Sequence, residues 1–471
     1  MKQATFVIVG GGIAGVSCAE GLSFLSPDKT IILISASPTV KMVSNVKHLT
    51  KMLTDFDVTE REFQALNEIC PNVEVIEGTV KSVEPNRKYV LLENEEIVGY
   101  EKLCVCSGAK PKLIYTNDER IVGIRDTDSV KELQKRIAAS KKVVIIGNGG
   151  IATELVYEIH GIEVVWVIKD SHISATFIDP GAAQFFEERI YSKDNGEITE
   201  GPVKRLKYVI SNEENAINVD KTGAALGPDW HTNVNLQGLL QHDKKVTVEY
   251  CCELKRILPD IEIIDKEWPV YIELTNGKII GCDFIVSATG VEPNVDFIKD
   301  TGVELASDGG IKVDMNMESS LKDVYAAGDA CTCSWDLAEH WLQMRLWTQA
   351  RQMGTYAAKA MHCSLNNEEF WQDFCFELFT HVTSFFGMKV VLLGLFNGQR
   401  LDNSYEILLR VTKHQEYVKL ILKNGRMQGA VLIGDTDLEE MCENLILNHL
   451  DLTDVADDLL DPNLDIDDYF D

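Results

Sequence analysis

A short apolar run that breaks into spaced glycines and then into a helix-like stretch occurs twice in this chain, and that repeat restricts its fold more than any other feature. Residues 5–9 are apolar almost throughout, as a strand covered on both faces should be, and Gly10, Gly12 and Gly15 follow in G-x-G-x-x-G spacing. Residues 142–146 repeat the theme and lead into Gly147, Gly149, Gly150, Ile151 and Ala152. In such a turn the first glycine bends the chain, the second admits backbone to a pyrophosphate, and the third position lets helix pack on strand. The diphosphate sits at the helix N-terminus, where unpaired N–H groups point outward. Ile13 and Ala14 complete the first cradle. Two cradles predict two dinucleotides, one flavin and one nicotinamide, whose rings meet over a shared cleft for hydride transfer.

The strand after each turn commonly ends in an acidic ribose ligand. After the first turn that place is taken by Ser35, whose hydroxyl can serve more weakly; after the second stand Lys169 and Asp170. A carboxylate favours a free 2′-hydroxyl and a cation a 2′-phosphate, so NADH and NADPH both stay open. Helices are expected over 13–25, 128–139 and 151–159. Residues ~185–265 read as an irregular insertion. Beyond residue ~361 strand-length runs return, with Asn424-Gly425 as a hairpin turn, and Thr436 and Glu439 spaced to cap a helix over 438–450. Trp335, Trp341 and Trp347 recur around one expected helix at a spacing that suits packing rather than stacking.

Lys and Arg total 45 against 74 Asp and Glu, a formal net charge of −29. A phosphate backbone needs a basic face, so nucleic acid is not an expected direct partner; nor is an anionic membrane surface. No apolar run reaches the ~20 residues of a membrane span, and the N-terminus lacks the pattern of a signal peptide. Twelve cysteines are too sparse for a disulfide scaffold, and no paired CxxC or HxxxH spacing suggests a metal site. The segment 451–471 carries nine aspartates and no Lys or Arg; it reads as a solvated tail, with Leu459 and Leu460 among apolar hooks that would suit docking.

The ordered motifs GGGIAG (10–15), CSGAKP (106–111), GNGGIA (147–152), ATGVEPN (288–294) and VYAAGD (324–329) resemble those of the pyridine nucleotide–disulphide oxidoreductase flavoproteins. The resemblance implies an α/β fold with two Rossmann-like domains, the NAD(P)H-binding one inserted in the FAD-binding one, plus a C-terminal α+β domain. The implied boundaries are 1–114 with 291–360 for FAD, 115–290 for NAD(P)H, 361–450 for the C-terminal domain and 451–471 for the tail. It places FAD on the first turn with Ser107, Gly108, Gly290, Gly328, Asp329 and Ala330 nearby. Lys41 and Lys47 fall where flavin-contacting basic residues often stand, and Glu154 where a residue faces the nicotinamide. A closer likeness to one eukaryotic branch, carried by ALGPDW (225–230), LWTQARQMG (346–354), KVVLLG (389–394) and DPNLDIDDYFD (461–471), implies an oxidative-stress role. It also implies association with the tRNA ligase complex, and residence in cytoplasm and nucleus.

Disulfide-reducing members carry a cysteine pair soon after the flavin turn, whereas residues 37–52 contain none. Nor does a His-x-x-x-x-Glu pair close the chain: His449 is followed by Leu450, Asp451, Leu452, Thr453 and Asp454. An NAD(P)H oxidoreductase whose catalysis rests on the flavin is therefore expected, with Lys47, Glu154 and Cys331 as candidate catalytic groups and a monomer favoured. A redox-sensing partner-binding protein with little turnover, or a disulfide reductase using Cys331 and Cys333, are the alternatives.

Overall fold

A computed structural model describes residues 2–116, 118–124, 127–191, 204–209, 238–239, 245–263, 267–402, 404–456 and 458–461. The first strand, Lys2–Val9, ends in four buried residues and pairs in parallel with Ile31–Ser35 on one side and Ile97–Val105 on the other. Strand Val73–Glu77 extends the sheet beyond Ile31–Ser35. Val324–Ala326, more than 200 residues later in the chain, returns to pair in parallel with Ile97–Val105. One sheet is thus built from two distant stretches, as an inserted second domain requires. Helix Ile13–Leu25 crosses the long helix Trp347–Asn366 so closely that a Cβ at Gly354 would lie 2.2 Å from the carbonyl oxygen of Ala14; only glycine allows that approach.

The second body holds a five-stranded parallel sheet in the order Ile121–Gly123, Phe284–Ser287, Lys142–Ile146, Glu163–Val167, Lys245–Glu249. A crossover pair, Ala109–Pro111 with Val291–Pro293, joins the two bodies. The C-terminal sheet is antiparallel, with Thr380–Phe385, Met388–Gly394, Arg426–Ile433, Glu416–Lys423 and Glu406–Thr412 in that order. Helix Glu439–Asn448 packs against it.

Several expectations are corrected here. The stretch 185–265 is not irregular throughout: Lys245–Glu249 is an edge of the second sheet, and Lys204–Val209 pairs antiparallel with Glu406–Thr412, adding a sixth strand to the C-terminal sheet. Within that stretch, residues 192–203, 210–237, 240–244 and 264–265, including ALGPDW, lie outside the described residues. Thr436 does not cap the last helix; Leu438 occupies the cap and the Thr436 hydroxyl is buried without a partner among the described residues. No helix carries all three tryptophans. Trp335 and Trp341 stack on each other at 6.4 Å in an irregular segment and only Trp347 opens a helix. The beginning of the acidic segment is not a free tail, because Leu452, Leu459 and Leu460 are buried in the core of the C-terminal sheet while Asp451 and Asp454 stay exposed; residues 462–471 lie outside the described residues. No described helix is long and apolar enough to cross a membrane.

Candidate functional site

The two glycine turns divide their work between closeness and openness. Gly10 has φ +122°, and a Cβ there would lie 2.1 Å from the carbonyl oxygen of Cys106. A Cβ at Gly15 would lie 1.8 Å from Gly10 O, so neither position tolerates a side chain. Gly12 differs: a Cβ there meets nothing within 4 Å. It caps helix Ile13–Leu25 without any side-chain cap, which leaves the first N–H groups facing open space. The second turn repeats this. Gly147 has φ +134° and abuts the Ala288 carbonyl, while Gly149 caps helix Gly150–Glu158 and faces open space. Both turns thus end in an uncapped helix N-terminus, where the helix dipole favours an anion.

The two helix starts converge. Ile13, Phe56 and Trp347 are buried together, with Ile151 of the second helix and Ala350 packed against them. Phe56 comes from strand Thr54–Glu62, which pairs antiparallel with Thr39–His48. The hairpin tip is anchored on the C-terminal sheet: Thr50 and the Met52 amide bond to the buried carboxylate of Glu443, and Leu53 is fully buried beside it.

Asp329 lies in the turn Gly328–Ala330. Burial pushes its carboxyl up to about 6, against the pull of Arg345 and Lys41, so Lys41 stands near enough to act on it. Arg345 is itself buried; it donates to Asp329 O at 3.1 Å and pairs with Asp308 at 3.0 Å. Neither Arg345 as a buried support nor Asp308 was legible without the fold. Gly328 has φ +71° and packs on Ala14. Ser107 donates to Asn294 O at 2.6 Å, and Gly108 and Gly290 both have positive φ in the crossover.

Other candidates fall differently. Ser35 is buried and its hydroxyl is committed to Ser37 O at 2.8 Å. Lys47 is exposed in the hairpin. Glu154 is buried within the second helix. Asn148, which the sequence reading passed over, holds the second turn to the end of the next strand, donating to Asp170 at 2.8 Å and to His172 O at 2.9 Å; Lys169 points into solvent. Cys331 is buried, its sulfur donating to Gly328 O at 3.3 Å, and burial pushes its thiol strongly upward. All twelve cysteines are free.

A model of the pyridine nucleotide-disulphide oxidoreductase family matches residues 4–249 and 236–354, and one of the rubredoxin NAD+ reductase C-terminal domain matches 384–450. Curated relatives called pyridine nucleotide-disulfide oxidoreductase domain-containing protein 1 include one from Pongo abelii, 50% identical over 491 residues, covering 99% of this chain and 98% of its own. Another, from Dictyostelium discoideum, is 38% identical over 542 residues and covers 99% of both chains. Among solved structures, a ferredoxin reductase for the CYP199A2 system from Rhodopseudomonas palustris has a TM-score of 0.70 at 18% identity, covering 99% of each chain. The covalent putidaredoxin reductase–putidaredoxin complex matches with a TM-score of 0.69 at 15% identity, over 100% of this chain and 99% of the other.

Proposed function

The chain belongs to the pyridine nucleotide-disulphide oxidoreductase family, whose cofactors are FAD and NAD(P)H, and on that premise we propose that it passes a hydride from NAD(P)H to FAD without a thiol relay. The observation that carries this reading is the convergence of two uncapped, open helix N-termini on one apolar wall of Ile13, Phe56 and Trp347. The residues fit the groups they would hold. Gly12 and Gly149 leave room where diphosphates would lie, and the buried Asp329 carboxyl stands beside the first turn with Lys41. When bound, FAD supplies the hydride-accepting chemistry, and the protein supplies orientation and electrostatics.

In this mechanism the N–H groups following Gly12 and Gly149 bind the two diphosphates. Trp347, Phe56 and Ile151 exclude water from the space between the turns. Arg345, fixed by Asp308, orients the backbone of Asp329. Asp170, held by Asn148, favours a free 2′-hydroxyl and hence NADH, with Lys169 turned outward. Division of the chain into a flavin body of 1–114 and 291–360 and a nicotinamide body of 115–290 is part of this proposal. No observation favours Cys331 and Cys333 as a redox pair, since a buried thiol pushed upward carries little thiolate.

Anaerobic titration of the purified protein with NADH and then NADPH tests the reading. Bleaching of the flavin band near ~450 nm, at lower concentration with NADH, is expected. Colourless protein, or flavin that neither nucleotide reduces, would end it. From the resemblance we further propose that the protein protects the tRNA ligase complex from oxidative inactivation, in cytoplasm and nucleus. Ligase activity under peroxide, with and without the protein and NAD(P)H, is the corresponding assay; equal loss in both arms would reject that role. A redox-sensing role with little turnover is the second reading. The shared core that Phe177 and Phe186 of the nicotinamide body form with Phe385 and Phe386 of the C-terminal sheet favours it, because it links the two mechanically.

A further inference from the structure

Outside the cleft, one cluster brings a carboxylate and two imidazoles to the same point. Glu339, His340 and His449 each present a ligand atom, and these atoms all lie within 4.8 Å of one another. Around tetrahedral Zn2+, bonds of about 2.0–2.2 Å hold ligand atoms roughly 3.3–3.6 Å apart, so side-chain rotations of about an ångström close the set on a metal. The tautomer is also prepared. Gln428 donates its amide nitrogen to the carbonyls of Arg426 and Met427 at 3.2 and 3.3 Å, which turns its amide oxygen toward His340 Nε2 at 3.2 Å. That oxygen can only accept, so Nε2 carries the proton and Nδ1 keeps its lone pair. A ligating histidine typically shows just this arrangement, its second nitrogen donating to an outer partner. His340 is buried, and its ring packs 5.3 Å from that of His449 at the end of the last helix.

The remaining side of the cluster is open. Glu339 and His449 are exposed and line a cavity of about 500 Å3, together with Gln428, Arg400, Lys423 and Arg426. Three cations around one cavity are unexpected in a chain of net charge −29. Lys423 is balanced by Asp402 at 3.1 Å, but the set would repel a bare dication. It would welcome one that arrives with an anion. We propose that Glu339, His340 and His449 bind a divalent transition-metal cation of the Zn2+ class, and that its open position takes an anionic oxygen ligand, a phosphate or carboxylate, held by the cations of the cavity. Two imidazoles and one carboxylate suit Zn2+, which in open sites commonly has three protein ligands and a fourth exchangeable one. This inference does not depend on the flavin reading and stands or falls separately from it.

The test uses the full-length, tag-free flavoprotein. Co2+ titration followed by visible absorption, with Zn2+ as competitor, is expected to show one bound equivalent with the intense bands of four-coordinate Co2+. Inorganic phosphate should tighten Co2+ binding by roughly five- to hundredfold, and Co2+ should tighten phosphate binding by the same factor. His449→Ala and Glu339→Gln should each abolish the equivalent. Both residues are exposed, and an unchanged flavin spectrum and melting temperature will show that the fold is kept. Gln428→Leu should weaken binding by roughly 10- to 100-fold. If no equivalent binds, or one binds and survives both ligand substitutions, the metal site is overturned. If Co2+ binds and phosphate does not alter its affinity, the anionic ligand is.

Discussion

Gly12→Ala separates ligand space from fold space at the first turn. Gly12 has φ −79° and ψ −177°, an extended conformation open to any residue, and the new Cβ would touch nothing within 4 Å. The Cβ itself strains no contact. Losing glycine's freedom in the unfolded chain contributes about 0.4–1 kcal/mol, which offsets the poorer N-cap that alanine makes, so apoprotein stability should stay nearly level. The methyl group would, however, stand where a diphosphate must approach the helix N-terminus. Losing one hydrogen bond to a charged oxygen costs about 1.5–3 kcal/mol, which is roughly 10- to 150-fold in FAD affinity. Gly15→Ala is the control that strains the fold itself. Its Cβ would lie 1.8 Å from Gly10 O and 3.0 Å from Gly10 C. Backbone would have to move, at about 1–3 kcal/mol or more. The assay is melting of flavin-stripped protein alongside FAD affinity from the quenching of flavin fluorescence. An alanine at position 12 that binds FAD as tightly as glycine, or that lowers apoprotein melting as much as alanine at 15, would refute the reasoning.

Further outcomes follow from the same geometry. Gly149→Ala, also placed in open space, should raise the NADH concentration needed for half-maximal flavin reduction by roughly 10-fold or more, with FAD content unchanged; reductive titration reads both. Lys419 is buried and donates to Asp179 at 2.6 Å and Asn397 at 2.7 Å, joining the C-terminal sheet to the nicotinamide body. Lys419→Met should destabilise the protein by about 1–3 kcal/mol in urea melts, because Asp179 loses its charged partner and keeps the Tyr417 hydroxyl and the Gly181 amide. Burial alone would raise the Asp179 carboxyl, but Lys419 and Tyr417 leave it below the usual range. The contribution of this pair should then be present above the unfolded carboxylate value of about 3.9 and be lost as pH falls through the lower folded value. A melt in which wild type and variant differ equally at pH 7 and pH 2 would contradict that. Cys331→Ser should leave the rate of NAD(P)H-driven flavin reduction within about twofold, because a thiol so raised takes no part in transfer; stopped-flow absorbance decides it.

What a local stretch of backbone must do was readable from the residues alone. Gly10, Gly15 and Gly147 occupy positions where only a hydrogen fits, and their spacing betrayed it. Asn424 and Gly425 both have positive φ, 51° and 71°, as a two-residue hairpin turn demands, so that dipeptide announced its strands. Side-chain patterns that have competing partners were less legible. Thr436 and Glu439 have the spacing of a cap, yet Glu439 pairs instead with Lys389 of the strand beneath the helix. Tertiary structure alone decided which distant pieces meet. Nothing in residues 204–209 says that they pair with Glu406–Thr412. Nothing in His340 says that His449, 449 − 340 = 109 residues later, will share its site. Turns are coded by the φ and ψ a few residues can adopt, whereas long-range encounters follow from burying whole apolar faces at once, a sum over the chain that no short segment records.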